Sequence, residues 1–254
     1  MNYPLDFHNK IILGDCLDIM PYIPDASVDM VLCDLPYAIT SRNSWDCIIP
    51  FDKLWEQYRR ICTKGAVIAL TAAQPFSSEL VMSNRDMFKY DLIWVKNKSS
   101  GFLNAKKMPL RQHESVLIFY DSQSVYNPQK TQGHKPANSF TQNTGCGSNY
   151  GRTTKGFSGG GWTDRHPASI LNFNVVNNDS HLRIHPTQKP ISLFEYLIKT
   201  YTNPGMLVLD NCSGSGTTCL AAKNTDRIFI GIEKEKEYYD AANKRLLSNT
   251  DIFS

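Results

Sequence analysis

Apolar residues cluster along this chain in two alternating patterns. Short, nearly unbroken apolar runs occur at KIILGD (10–15), VDMVLCD (28–34), GAVIALTA (65–72), YDLIWVK (90–96), SVLIFY (115–120), MLVLD (206–210) and IFIGIE (228–233). Each has the length of a buried strand. Between them the period lengthens. In FDKLWEQYRRICTK (51–64), Leu54, Trp55, Tyr58 and Ile61 recur at helical spacing, and ISLFEYLIKTY (191–201), TTCLAAKN (217–224) and KEYYDAANKRLL (236–247) read as further helices. Strands that are apolar throughout have no solvated face, and strands alternating with helices build parallel sheets covered on both sides. The expected fold is α/β, a Rossmann-like, mainly parallel sheet with helices on both faces.

One interval breaks this pattern. Residues 122–184 are rich in Gly, Asn, Gln, Ser and Thr, as in NTGCGSNYGRTTKGFSGGGWTDRH, and contain no convincing periodic segment. Six cations (Lys130, Lys135, Arg152, Lys155, Arg165 and Arg183) face two acids (Asp164 and Asp179), a local surplus of four. Composition alone describes a solvated loop. Compact domains seldom keep connections this long without a function. The interval is therefore read as an irregular insertion that splits one domain into residues 1–121 and 185–254. The chain has no internal repeat.

Composition narrows the class. With 254 residues and 41% hydrophobic content the chain can bury a sizeable core. A net charge of +3 permits a nucleic-acid partner without requiring one. The seven cysteines form no C-x-x-C pair, which argues against zinc or disulfide frameworks and for reduced thiols, so no metal site is expected. The opening MNYPLDFHNK lacks a signal-peptide profile, and no apolar run of about 18 residues is present, so a protein of the cytoplasm is expected.

In open parallel sheets, ligands bind at the carboxyl ends of the strands. Two loops stand out there. In VLDNCSGSGTT (208–218) a strand ends in Asp210 and a turn through Gly214 and Gly216 opens a helix. Glycines admit a ligand close to the backbone, and a helix N-terminus offers unpaired N–H groups. A Walker loop is excluded by Asn211 and Thr217, and a dinucleotide fingerprint by Cys219. Glu233 follows at the end of the next strand, where an acid can accept two ribose hydroxyls. In VLCDLPYAIT (31–40), Asp34 places an acceptor at a strand end and Tyr37 adds a flat ring. Pro36 biases Leu35 toward extended geometry, which lets the Leu35 carbonyl point beside the carboxylate. Two acceptors and a ring suit a planar heterocycle with an exocyclic amine.

Together these segments resemble the S-adenosylmethionine-dependent DNA amino-methyltransferases that act on adenine N6 or cytosine N4. Asp34-Leu35-Pro36-Tyr37 resembles their (Asp/Asn/Ser)-Pro-Pro-(Tyr/Phe/Trp) motif, Asp210 to Gly216 their Asp-x-Phe-x-Gly-x-Gly loop, and HPTQKP (185–190) the segment completing their cofactor pocket. The order, catalytic motif first and cofactor loop last, is that of the permuted beta group. Residues 122–184 occupy the family's target-recognition position. The resemblance implies S-adenosyl-L-methionine as cofactor, double-stranded DNA as partner, and a prokaryotic or phage setting; a homodimer stays open. It places Asp210 at the methionine ammonium, Glu233 at the ribose, Asp15 of GDCL at the adenine edge, and Thr187 and Lys189 near the methionine carboxylate. Two departures stand: Leu35 replaces a proline that acts through its carbonyl, and Cys212 replaces a phenylalanine beside the cofactor.

The implied mechanism is direct transfer to a flipped base stacked on Tyr37, its amine protons accepted by Asp34 and the Leu35 carbonyl. Arg42 and Trp45 would lie in a loop over the flipped base. Lys106, Lys107 and Arg111 would meet phosphates. Base readout and further phosphate contacts would come from the insertion, with Arg152, Lys155 and Arg165 as candidates. Asp34 at the first motif position favours adenine N6 over cytosine N4, which the family more often pairs with serine. An RNA or protein-glutamine methyltransferase, or an inactive DNA-binding regulator, fits the combination of motifs less well.

Overall fold

Val28–Cys33 and Leu207–Asp210 are buried almost throughout, as strands covered on both faces must be. The computed structural model describes residues 1–38, 47–142, 146–147, 151–152, 157–176 and 188–248. Its first unit comprises Met1–Asn127 and Ser169–Ser254. In chain order this unit contains β1 (Lys10–Leu13), α1 (Cys16–Ile19), β2 (Val28–Cys33), α2 (Phe51–Ile61), β3 (Cys62–Ala72), α3 (Phe76–Ser83), β4 (Phe88–Ser100) and β5 (Arg111–Phe119). The second unit, Pro128–Ala168, carries β6 (Phe140–Gln142), β7 (Cys146–Gly147), β8 (Gly151–Arg152) and β9 (Phe157–Gly159). The first unit then resumes with β10 (Ile170–Asn172), α4 (Ile191–Tyr201), β11 (Leu207–Asp210), α5 (Thr217–Asn224), β12 (Ile228–Glu233) and α6 (Lys236–Ser248).

The main sheet has eight strands in the order β1-β12-β11-β2-β3-β5-β4-β10. The pairs from β1 to β3 are parallel, β5 runs antiparallel to both β3 and β4, and β10 is parallel to β4. Alternate residues of each strand enter opposite layers. Val31 and Cys33 pack with Leu54, Trp55 and Tyr58 of α2 and with Phe76 of α3. Met30 and Leu32 pack with Leu193, Phe194 and Leu197 of α4 and with Leu220 of α5. Helix α2 shows the logic: Leu54, Trp55, Tyr58 and Ile61 form its buried stripe, Asp52 lies in its first turn and Arg59 and Arg60 in its last. Those charges complement the helix dipole.

The expected α/β sheet with helices on both faces is thus observed, with differences at its edges. The turn after β1 is a short helix capped by Asp15, and α3 buries Phe76 and Leu80 one turn apart. Neither is long enough to show a period. The β4–β5 pair is an antiparallel hairpin, the arrangement a ten-residue connection allows and a parallel crossover does not. Within the polar interval, Ile170–Asn172 extends the main sheet; only Leu171 of these three is buried, too little to register as a strand in sequence.

The second unit is held by its own polar contacts. Strands β6 and β9 pair antiparallel, as do β7 and β8. Thr131 and Arg165 form an isolated bridge, and Lys130 and Asp164 an ion pair at 2.8 Å. The Arg165 guanidinium donates to the carbonyls of Lys135, Trp162 and Asp164.

Candidate functional site

Four neighbouring parallel strands deliver four acids to one edge of the sheet. Glu233 and Asp210 are the last residues of β12 and β11, Asp34 follows β2 directly, and Asp15 lies two residues beyond β1. The register makes them neighbours: Leu13 pairs with Glu233, Asp210 with Gly231, and Leu209 with Val31. They line a cleft of about 710 Å³, together with Leu35, Pro36, Tyr37, Lys189, Cys212 and Gly214. Acids gathered this way need partners, and each finds different ones.

Three are satisfied mainly by nearby backbone. Asp15 caps α1, its carboxylate accepting from the Leu17 N–H at 2.9 Å. Glu233 accepts from the N–H groups of Gly214 at 2.6 Å and Glu235 at 2.8 Å, which locks the glycine turn onto the end of β12. Asp210 accepts from the Cys212 N–H at 3.1 Å and from the Thr218 hydroxyl. Burial pushes the Asp210 carboxyl up to about 6 against the pull of those donors, and burial likewise raises Glu233. Gly214 and Gly216 have φ of +49° and +72°, a region costly for residues with a Cβ. A Cβ on Gly214 would meet nothing within 4 Å, so that position faces open space, whereas one on Gly216 would stand 3.1 Å from Ala242. Buried Arg245 fastens the turn to α6 by donating to the Ser215 carbonyl at 2.9 Å.

Asp34 is different. Its Oδ2 accepts from Lys189 Nζ at 2.6 Å, and its Oδ1 accepts from the hydroxyls of Tyr37, at 2.8 Å, and Thr71. Lys189 also lies 3.4 Å from Glu114 Oε2, and Glu114 Oε1 accepts from Lys96 Nζ at 2.6 Å. The result is a mostly buried row of alternating charges, Lys96, Glu114, Lys189 and Asp34. Burial alone would lower Lys189, yet the carboxylates of Asp34 and Glu114 hold it above its ordinary value. Burial alone would raise Glu114, yet Lys189 and Lys96 hold it below the usual carboxylate range. Both residues are therefore charged, and Glu114 Oε2 is a buried acceptor without a hydrogen bond among the described residues. The Tyr37 ring stacks on Phe76 with centroids 5.0 Å apart.

The structure thus brings together Asp15, Asp34, Leu35, Pro36, Tyr37, Lys189, Asp210, Cys212, Gly214, Gly216 and Glu233. It gives Lys189 a partner the sequence did not suggest, the Asp34 carboxylate. Thr71, Lys96, Glu114 and Arg245 were not anticipated; the only trace of them in the sequence is a polar residue inside or beside an apolar run. The thiols of Cys16, Cys33 and Cys212 meet beneath the glycine turn; burial pushes Cys33 up to about 12, and Cys212 is raised as well. A raised thiol pKa disfavours the nucleophilic thiolate form. Arg111 opens β5 at the mouth of the cleft, and Lys106 and Lys107 are exposed on the β4–β5 connection. Arg165 uses its guanidinium on three carbonyls of its own unit and is a structural residue first. Arg152 lies in β8, and Arg42, Trp45, Lys155 and Thr187 fall outside the described residues.

The model of a family described as DNA methylase, N6_N4_Mtase, matches residues 28–244. Type II methyltransferase M.BglII of Bacillus subtilis is 29% identical over an alignment of 279 residues, covering 98% of this chain and 72% of that protein. The M1.HpyAVI–SAM complex superposes with a TM-score of 0.64 at 24% identity, covering 93% of this chain and 98% of that one. The PvuII DNA methyltransferase, titled cytosine-N4-specific, gives a TM-score of 0.66 at 17% identity, with 95% and 90% covered. At these identities the two structures speak to the fold alone.

Proposed function

Since the chain belongs to this N6/N4 DNA methylase family, we propose that it is a site-specific DNA methyltransferase acting on adenine N6 after base flipping. The observation that carries this reading is the single cleft in which Asp34, the Leu35 backbone and Tyr37 face the glycine turn bounded by Asp210 and Glu233. The cleft fits S-adenosyl-L-methionine, the cofactor of the reaction. Asp210 suits its ammonium, Glu233 its two ribose hydroxyls and Asp15 its adenine edge, while the open space at Gly214 lets the ligand approach the backbone. Bound there, the cofactor supplies an electrophilic methyl group on a sulfonium.

The rest is done by this chain's own residues. Lys189 pairs with the Asp34 carboxylate, and the hydroxyls of Tyr37 and Thr71 fix its orientation. A carboxylate so held, with the Leu35 carbonyl beside it, accepts hydrogen bonds from the two N–H groups of an exocyclic amine and directs the nitrogen lone pair out of the base plane. This is catalysis by orientation and fixed electrostatics. Recognition of sequence is assigned to residues 122–184, with Arg152 and Lys155 as DNA contacts. No helix among the described residues is long and apolar enough to cross a membrane, and the protein works on double-stranded DNA in the cytoplasm of a prokaryotic cell.

Adenine is favoured by the acid at the first position of the tetrapeptide. Cytosine N4 is the second reading, because the matching family spans both N6 and N4 methylation. Incubation with unmethylated genomic DNA and methyl-labelled cofactor, followed by digestion to nucleosides, should place the label in N6-methyldeoxyadenosine. Label in N4-methyldeoxycytidine establishes the second reading, and label in neither nucleoside rejects both.

A further inference from the structure

The connection between β4 and β5 displays apolar side chains on which nothing packs among the described residues. Phe102 is 75% and Leu103 85% exposed, with Met108 at 58%. Large apolar residues gathered on an exposed turn mark a contact surface more often than chance. The turn is also closed by hydrogen bonds of its own backbone. Asn104 N–H donates to the Gly101 carbonyl at 2.9 Å, Ala105 to Phe102 at 3.0 Å and Lys107 to Asn104 at 2.8 Å. Gly101, at φ +84°, starts it. The two side chains are therefore presented outward by a built structure.

Charge and position identify what they meet. From Asn97 to His113 the chain holds Lys98, Lys106, Lys107 and Arg111 and no acid. Ser100 and Arg111 pair at the base of the hairpin, and both line the cleft that holds Asp34. Phe102 is two residues beyond Ser100, at most about 7 Å of chain from the cleft mouth. A polyanion following this basic rim would run past the mouth with the apolar tip against its interior. We propose that Phe102 and Leu103 form a wedge that enters the stack of duplex DNA and occupies the gap left when the target base turns into the cleft. This rests on the reading of the site as a DNA methyltransferase. Apolar side chains inserted between base steps lower the cost of unstacking by replacing base with side chain. Lys106 and Lys107 hold the flanking phosphates.

A wedge is needed for a base inside a duplex and not for one in a single strand. Full-length protein is tested on unmethylated plasmid DNA, native and heat-denatured, with labelled cofactor. Phe102→Ser and Leu103→Ser should each reduce labelling of native DNA about tenfold, the scale of one lost stacking partner. Labelling of denatured strands should stay within about twofold of wild type. Both side chains are exposed, so the variants should keep the wild-type melting transition, and Phe102→Trp should restore labelling of native DNA. An equal loss on both substrates, or no loss on native DNA, overturns the wedge while leaving the methyltransferase reading intact. So does loss of self-association in sedimentation with native-DNA labelling unchanged, which would make the patch a contact with a second copy. A wild-type protein that labels neither substrate rejects the underlying reading and the wedge with it.

Discussion

The two ends of the cleft neutralise their acids in opposite ways. At the glycine-turn end, Glu233 and Asp210 accept N–H donors from Gly214, Glu235 and Cys212, and a hydroxyl from Thr218. Neutral donors leave the carboxylates' charge in place, and Asp210 is buried far enough for its carboxyl to rise to about 6. At the tetrapeptide end, Asp34 is paired with a full charge, Lys189, which Glu114 and Lys96 balance in turn. The first arrangement keeps a negative site waiting for a cation. The second pairs a carboxylate with a cation and orients it for a neutral amine. The contrast is the division expected between gripping a charged cofactor and positioning an uncharged base.

The largest break in this contrast should come from Asp34→Ala. Methyl transfer should fall by about 10³-fold or more, the scale of losing a preorganised electrostatic partner, while cofactor affinity by calorimetry stays close to wild type. A loss of affinity as large as the loss of rate would move Asp34 to the cofactor's side of the cleft. Glu114→Gln comes next. It leaves Lys96 buried without its carboxylate and Lys189 paired with Asp34 alone, and breaking such an ion network costs about 3–5 kcal/mol. Urea denaturation should show that loss, and an unchanged midpoint would mean that the row of charges is not coupled.

Gly214→Val tests the other end. The φ of +49° opposes a β-branched residue, and its side chain would stand in the space kept open for the ligand. Cofactor affinity should fall at least about tenfold in a variant that still folds; unaltered binding would exclude a close approach at this turn. The mildest probe is pH. Burial raises the folded-state carboxyl of Asp210 to about 6, above its unfolded value, so the stability its neutral form contributes at low pH is lost as pH rises through about 6. An ammonium ligand needs the ionised form. Cofactor affinity should therefore increase about tenfold from pH 5 to pH 7.5, and Asp210→Asn should flatten that rise. A slope that survives in Asp210→Asn would shift the effect to Glu233.

Among the described residues, most strands and four of the six α-helices were legible because their causes are local. A run such as VDMVLC must be buried on both faces, and the stripe of Leu54, Trp55, Tyr58 and Ile61 admits one period. The glycine turn was legible for the same reason, since Asp210, Gly214, Gly216 and Glu233 come from one strand-turn-helix-strand segment. What escaped was short or distant. Helix α1 spans one turn, and β10 buries a single side chain. Glu114 and Lys96 read as ordinary polar residues in their strands until the antiparallel pairing of β4 and β5 sets them near each other.

By itself, the amino-acid order determined which segments are strands, which are helices, and which loops carry acids and glycines, because hydrophobic period and turn chemistry act over a few residues. Tertiary structure decided who pairs with whom. Lys189 reaches Asp34 across 155 residues of chain and Thr71 reaches it across 37. No local pattern records such partners; they meet because β2, β3, β5 and the segment before α4 converge at one edge of a sheet whose strand order the sequence does not spell out.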